Sequence, residues 1–385
     1  MTRQISLPHR RMFILGAGFS RPAGLPLAKE LLDSVRREVR TRLPDSGKRD
    51  RALEQEIREW TELYPCKPVD LESVMAYSHR KHYLQLLGSR EPYEHGSVSI
   101  VAARRAIQRI LIDCTPIDVP ALYQNFANHL TPNDLVLTFN YDTLLEQSLD
   151  AIGKPYSLTP EWWLERGSSE SGYNYVDLLK LHGSIDWYDR KFHDEALEYY
   201  DEKGYNVPDC DPIFGPNPTV QVDPLSKGDA GEMGQHILSR VFRVSNHSHY
   251  FPLDGKRFSH VVPFVLPLAY DKLLGHDPIV DLWRSLHHNL DAFSTIIVIG
   301  YSMPHADSYA YEALGKLFVD YQAGGQRTLW EQRRVPIQII TKAESEADVF
   351  KSLPFLNSTS TQVWCNGFSN ESLNWLDWGD GDLKA

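Results

Sequence analysis

The stretch at residues 11–32, "RMFILGAGFSRPAGLPLAKELL", begins as an apolar run, turns through Gly-Ala-Gly-Phe-Ser and continues as a helical pattern. This arrangement is typical of anion sites, because the N–H groups of a glycine turn can approach a phosphate and the helix N-terminus attracts negative charge. The dinucleotide fingerprint, however, requires a third glycine where Arg21 stands, and no strand with a terminal acid follows about 20 residues later. Taken alone, the turn is as compatible with a purely structural role as with a nucleotide site.

Further apolar runs bounded by turn residues indicate the rest of a sheet. Runs that are apolar almost without interruption favour parallel strands buried on both faces. The fold class we predict is α/β, a Rossmann-like open parallel sheet of about six strands with helices on both faces. The predicted strands lie at residues 12–15, 135–139, 176–181, 261–266, 295–299 and 337–340.

The spacing of these runs predicts one domain over residues 1–385 with two insertions. Largely helical patterns fill about 120 residues between the first two runs, far more than a βαβ crossover of about 30 residues needs. We therefore expect an inserted helical module at about 30–130, including a helix in "SIVAARRAIQRILIDC", residues 99–114. A second, irregular insertion is expected at about 190–260, with a mobile loop at the glycine-rich residues 226–235.

Composition excludes several classes of protein. The chain has 385 residues, and 40 Lys and Arg against 51 Asp and Glu give a net charge of −11, which disfavours direct binding to nucleic acid. Its four cysteines form no Cys-x-x-Cys pair, so no zinc spacing is present. No segment approaches ~18 apolar residues and no signal sequence is evident, so we expect a cytoplasmic protein without membrane association.

Polar groups follow three other predicted strands. Asn140 and Asp142 follow the second, His182 the third, and Gly300 and Ser302 a later one, with Asp307 just beyond. In an open parallel sheet, ligands bind outside the carboxyl ends of the strands, so these turns and the glycine turn can line one crevice.

The ordered motifs Gly-Ala-Gly-x-Ser (16–20), Thr-x-Asn-x-Asp (138–142), Leu-His-Gly (181–183) and Gly-x-Ser (300–302) resemble the sirtuin family. The closer resemblance is to the sirtuin-like (Sir2-like) NAD hydrolases of bacterial antiphage defence. Sirtuin deacylases carry a four-cysteine zinc module after the His-Gly motif, where this chain has only Cys210. They also carry Asp-Phe-Arg where residues 27–29 are Leu-Ala-Lys. Both departures favour the zinc-free hydrolase branch.

The resemblance implies an NAD glycohydrolase that binds NAD as substrate, requires no cofactor and no zinc, and releases ADP-ribose and nicotinamide. Asn140 would orient water or the ribose hydroxyls, and His182 would accept a proton. The NAD-binding residues implied are Gly16, Ala17, Gly18 and Ser20 at the pyrophosphate, Asp142 at the nicotinamide carboxamide, Gly300 and Ser302 at a phosphate or ribose, and Asp307.

Structural interpretations compete with several of these roles. Asn140 could cap the following helix, His182 could be a satisfied buried histidine, Asp307 could cap the helix after it, and Ser302 could only close its turn. Glu72 could reach the site from the helical module, although a solvated helix face is the favoured interpretation.

The function we expect is depletion of cellular NAD in abortive infection. The alternatives are an NAD-dependent protein deacylase and a non-catalytic sensor that binds NAD or ADP-ribose. The resemblance also implies a homo-oligomer, or a partner protein such as a HerA-type ring ATPase or a short Argonaute.

Overall fold

The structure is a computed structural model of the chain. It describes residues 10–43, 46–84, 97–132, 134–159, 175–204, 213–215, 220–225, 240–245, 262–266, 279–280, 282–283, 293–304, 307–323 and 335–378.

Two sheets organise the described residues. A seven-stranded sheet, in which all paired strands run parallel, has the order β10-β9-β8-β1-β2-β4-β3, and a small antiparallel sheet has the order β5-β7-β6. The strands are β1 (Arg10–Leu15), β2 (Leu135–Thr138), β3 (Tyr156–Ser157), β4 (Val176–Lys180), β5 (Trp187–Asp189), β6 (Val222–Pro224), β7 (Val241–Val244), β8 (Phe293–Ile299), β9 (Ile337–Ile340) and β10 (Thr361–Trp364).

Strand β1 lies in the middle of the large sheet, between β8 and β2. Its last residue, Leu15, pairs with Thr138 of β2 and with Ile299 of β8, so the three carboxyl ends meet at one edge. The side chains of Met12 to Leu15 are fully buried, as expected for a strand covered on both faces. The predicted open parallel α/β fold is confirmed, with seven strands. The two edge strands, β3 and β10, were missed because half-buried edge strands lack a continuous apolar run.

Helices connect the strands. In the described residues they are α1 (Ala17–Ser20), α2 (Ala28–Thr41), α3 (Ser46–Leu63), α4 (Leu71–Tyr83), α5 (Val98–Cys114), α6 (Ala121–His129), α7 (Leu144–Ala151), α8 (Arg190–Glu202), α9 (Ser308–Ala323), α10 (Glu344–Ser352) and α11 (Asn370–Trp375), with 3-10 turns at Arg21–Ala23 and Ser358–Ser360. None of these helices has the length and apolar character needed to cross a membrane.

Among the described residues, helices α2 to α6 occupy the region where the helical module was expected, and the short α1 precedes them. The helix predicted at 99–114 is confirmed as α5; of its periodic apolar residues, Ile100, Ala103, Ile107 and Leu111 are buried and Ile110 is half-buried. Helices α2, α3 and α4 all contact α5. That this region is an insertion in a single domain stays a prediction.

Residues 190–260 contain α8 and two strands of the small sheet, whereas the glycine-rich residues 226–235 lie outside the described residues. The strand predicted at 261–266 is wrong for the part that is described. Residues 262–266 form a single antiparallel bridge, Val265 to Gly183, instead of a strand of the large sheet. This segment packs against the turn after β4, where its carbonyl and amide groups pair locally: Ser184 donates to Phe264, and Leu266 donates to His182.

Candidate active site

A cavity of about 530 Å³ lies at the carboxyl ends of the parallel strands. Its volume is in the range of small-molecule sites. Every site residue predicted from the sequence except Asp307 lines it: Gly16, Ala17, Gly18, Ser20, Asn140, Asp142, His182, Gly300 and Ser302. The parallel sheet thus brings four separated motifs together, as expected for ligand sites in open α/β sheets.

The glycine turn after β1 packs directly against the turn after β8. A Cβ on Gly18 would lie 2.6 Å from the Cα of Gly300, and Gly300 itself has a φ of +62°. The amide of Gly16 donates to the carbonyl of Ile299, and the amide of Gly18 donates to that of Gly300. Gly16 and Gly18 are therefore required for close contact between the two turns, and their N–H groups already donate to backbone carbonyls of the protein. This differs from the phosphate contact expected for these amides.

The side chain of Asn140 ties β2 to the glycine turn. Its Nδ2 donates to the carbonyl of Gly16 at 2.9 Å and to Oγ of Ser20 at 3.1 Å. Asn140 is 8% exposed and lines the cavity. The alternative that Asn140 caps the following helix does not fit this geometry, because its amide donates to the glycine turn and the first amide of the helix, that of Leu144, donates to Asp142.

Asp142 contacts both the first turn of α7 and the glycine turn. Its Oδ1 accepts from the amide of Leu144 at 3.0 Å, and its Oδ2 accepts from the hydroxyl of Ser20 at 2.9 Å. The buried ammonium of Lys180 donates to the backbone carbonyl of Asp142 and forms an ion pair with Glu146 at 2.7 Å. The Asn-Tyr-Asp segment is thereby held at both ends.

His182 lies at the end of β4, with its ring 1% exposed. Its Nε2 is 3.0 Å from Oδ2 of Asp307, a residue that is fully buried and directly precedes α9. The ring packs against the edge of Phe139, at a centroid distance of 4.8 Å. The next residue, Gly183, has a φ of +81°, and a Cβ there would overlap the carbonyl oxygen of Phe264 at 1.9 Å, so only glycine fits.

Tyr301 completes the wall around the His182–Asp307 pair. Its hydroxyl donates to Oδ2 of Asp307 at 3.1 Å, and its ring stacks on Phe139 at 4.1 Å. Burial, followed by the neighbouring carboxylate of Asp307, raises the pKa of Tyr301 well above its usual value. The phenol therefore stays protonated at neutral pH and remains a hydrogen-bond donor. Sequence reasoning had placed Asp307 among the NAD-binding residues and had not indicated its contact with His182.

Several cavity residues were missed or misjudged. Glu72 of α4 is half-buried and lines the cavity, so the favoured interpretation of a solvated helix face is wrong. Thr341 and Lys342 follow β9, and Asn366 follows β10; all three also line the cavity. The rule that polar residues after parallel strands form the site could have found those after β9, because that strand was predicted. Ser302 lines the cavity as an exposed side chain.

In the described part of the chain, no group of three or more His, Cys, Asp or Glu residues could hold a metal ion. Two closely spaced histidine pairs, at 247 and 249 and at 287 and 288, have no matching carboxylate or cysteine spacing for a metal; they and Cys210 lie outside the described residues.

Comparison with known proteins adds a family match in one segment. Two similar solved structures are that of Sir2Tm bound to a propionylated peptide (12% identity, 95% of this chain and 90% of that chain, TM-score 0.34) and that of a mutant Sir2 homologue in complex with ADP-ribose (14%, 97% and 92%, TM-score 0.35). The chain matches none of the curated proteins. Residues 134–205 match the family model described as SIR2-like domain, which supports a sirtuin-like assignment of the segment that carries Asn140, Asp142 and His182.

Proposed function

We propose that the chain is an NAD glycohydrolase, which cleaves the bond between nicotinamide and ribose and releases nicotinamide and ADP-ribose. The observation that carries this proposal is the buried contact between His182 and Asp307 at the wall of the strand-end cavity. A histidine held by a carboxylate beside a ligand-sized cavity has the arrangement of a general base.

The chemistry fits these side chains. Cleavage passes through an oxocarbenium-like ribose, as in glycoside hydrolysis, and nicotinamide leaves as a neutral group. The oxygen of a water molecule then bonds to the ribose carbon, and its proton passes to His182. Because Nε2 of His182 donates to Asp307, the neutral ring keeps its lone pair on Nδ1, and the carboxylate stabilises the imidazolium that forms.

Asn140 is proposed to place the water or a ribose hydroxyl. Both of its Nδ2 contacts are to the protein, so the amide is fixed in orientation. The carbonyl oxygen Oδ1 is then the atom of this side chain that accepts a hydrogen bond from the substrate or from water. Fixed positioning of this kind accounts for much of the rate of such reactions.

For NAD binding, we propose the remaining cavity residues. Ala17 and Ser20 take the pyrophosphate, with Gly16 and Gly18 shaping the turn, and Gly300 and Ser302 approach a phosphate or ribose. Asp142 accepts a hydrogen bond from the nicotinamide carboxamide, since each of its oxygens has a lone pair in addition to the one that binds Ser20 or Leu144. No zinc ion takes part in this scheme.

The biological role we propose is NAD depletion in antiphage defence, and it rests on the motif resemblance. Unregulated NAD hydrolysis would kill the host cell, so the isolated chain is expected to be weakly active. Activation would come from self-assembly or from a second protein, through the helical module formed by α2 to α6.

One incubation separates this function from its two alternatives. The full chain is incubated with NAD, with and without an acetylated peptide, over a range of protein concentrations, and the products are separated by chromatography. Peptide-independent release of ADP-ribose and nicotinamide supports a glycohydrolase. Release that requires the peptide, with acetyl transfer, identifies a deacylase. NAD binding without any product, even at high protein concentration, favours a sensor over a hydrolase that is activated by self-assembly.

A further inference from the structure

Arg104 of α5 is a buried cation without a protein counter-charge among the described residues. Its side chain is 1% exposed, and its Nε has no hydrogen-bond partner. The two other buried basic side chains in the described part of the chain are both paired: Arg11 with Asp134 at 2.6 Å, and Lys180 with Glu146 at 2.7 Å. Arg104 is the exception to this pattern.

The described groups around Arg104 do not neutralise it. Burial lowers its pKa to about 10, so the guanidinium is still charged at neutral pH. Tyr141 is within electrostatic reach, but burial raises the pKa of its phenol well above the usual value and keeps it neutral. His79 of α4 is also close enough for Arg104 to lower its pKa, and it too is neutral at pH 7. A buried charge left unpaired in this way is strongly destabilising.

We propose that Arg104 anchors a binding site for a small oxyanion, of the carboxylate or phosphate class, between the helical module and the Asn-Tyr-Asp segment. Tyr141 lines the large cavity but Arg104 does not, so the guanidinium lies outside the site proposed for NAD. A guanidinium matches both oxyanions because its N–H groups form a planar fork. An anion there would stabilise the packing of α5 near Tyr141, which stands between Asn140 and Asp142.

The test measures thermal unfolding of the full chain at pH 7 in sodium chloride, sodium phosphate and sodium acetate of equal ionic strength. Phosphate also stabilises proteins nonspecifically, by exclusion from their surface. The control Arg109→Met removes a charge from the same helix whose guanidinium already pairs with Glu38, at 3.4 Å, and so reports that nonspecific part. The test variants are Arg104→Met, which removes the charge, and Arg104→Lys, which keeps it.

We expect a saturable rise of ~5 °C in the Tm of the wild type and of Arg109→Met, in phosphate if the ligand is a phosphate and in acetate if it is a carboxylate. Arg104→Lys should keep part of this rise. Arg104→Met should lose it and should unfold at a higher temperature than the wild type in chloride, because no unpaired charge is buried. An equal anion response in Arg104→Met and Arg109→Met would overturn the proposal. So would an Arg104→Met chain that is less stable than the wild type in chloride or fails to fold. Neither result depends on NAD hydrolysis, so the outcome is independent of the proposed function.

Discussion

Nε2 of His182 lies 3.0 Å from Oδ2 of Asp307, and both side chains are excluded from solvent. These residues come from different strand ends, since His182 follows β4 and Asp307 precedes α9, after β8. The hydroxyl of Tyr301 donates to the same oxygen of Asp307. The two side chains therefore form a buried hydrogen-bonded pair, in which the carboxylate fixes one tautomer of the histidine.

Exchange of Asp307 for Asn should reduce NAD turnover while the fold is kept. The amide is the same size but carries no charge, so it neither fixes the tautomer in the same way nor stabilises the imidazolium. We expect a loss of about a hundredfold to ten-thousandfold in kcat, with a changed pH profile and little change in KM. Nicotinamide release measured from pH 5 to 9 provides the test. Tyr301→Phe, which removes the other donor to Asp307, should cost much less, and an equal loss in both variants would mean that packing alone is disturbed.

The two proposed catalytic side chains should differ in what their removal affects. His182→Ala should lower nicotinamide release by about two to four orders of magnitude with NAD affinity retained, because the histidine acts on a proton. Asn140→Ala should lower release by at least a hundredfold and also weaken NAD binding, since its amide holds the glycine turn through Gly16 and Ser20. Release and affinity should be measured together, with folding checked by circular dichroism. Wild-type release from both well-folded variants would contradict the hydrolase assignment and favour the sensor.

Gly183 should tolerate no side chain. A Cβ would lie 1.9 Å from the carbonyl oxygen of Phe264, and the φ of +81° is unfavourable for any other residue. Gly183→Ala should lower the free energy of unfolding by about 3 kcal/mol or more. Gly153 is a matched control, because its φ is +66° but nothing lies within 4 Å of an added Cβ. Gly153→Ala should cost only about 1 kcal/mol. Urea unfolding of the two variants gives the comparison, and equal losses would show that backbone conformation alone matters.

His79 should make the stability of the chain depend on pH. Burial, with the charge of Arg104 next in importance, lowers its pKa from 6.5 to about 4. The unfolded chain therefore binds more protons than the folded chain between pH 4 and 6.5. The stabilisation is complete above pH 6.5 and is lost as the pH falls towards 4, by up to about 3 kcal/mol.

The measurement is the free energy of unfolding at pH 7.5 and pH 5 for the wild type, His79→Gln and His129→Gln. His129 is exposed and serves as the control. The loss on acidification should be smaller in His79→Gln and unchanged in His129→Gln. A loss in His79→Gln as large as that of the wild type would show that this histidine does not contribute.

The sequence alone determined the central strands of the large sheet and the position of the candidate site, for a local reason. Residues 12–15 are apolar throughout, and residues 135–138 and 337–340 each contain a single polar residue, Thr138 and Gln338; near-continuous apolar runs of this kind are typical of strands buried on both faces. The rule that parallel strands end at one edge then placed the glycine turn, Asn140, His182 and Gly300 at one cavity. The same reasoning gave a wrong strand at 261–266, because an apolar segment that packs against a turn has the same sequence pattern as a buried strand.

Only the tertiary structure decided which of these side chains contact one another. Gly16 and Gly18 looked like a phosphate cradle, but their amides pair with the carbonyls of Ile299 and Gly300 across the turn. Asp307 looked like a ligand contact or a helix cap, and it lies against His182, 125 positions earlier in the chain. Periodicity and turn residues report on local backbone conformation and burial. Contacts between side chains at distant strand ends depend on strand order and register, which the pattern of single segments does not contain.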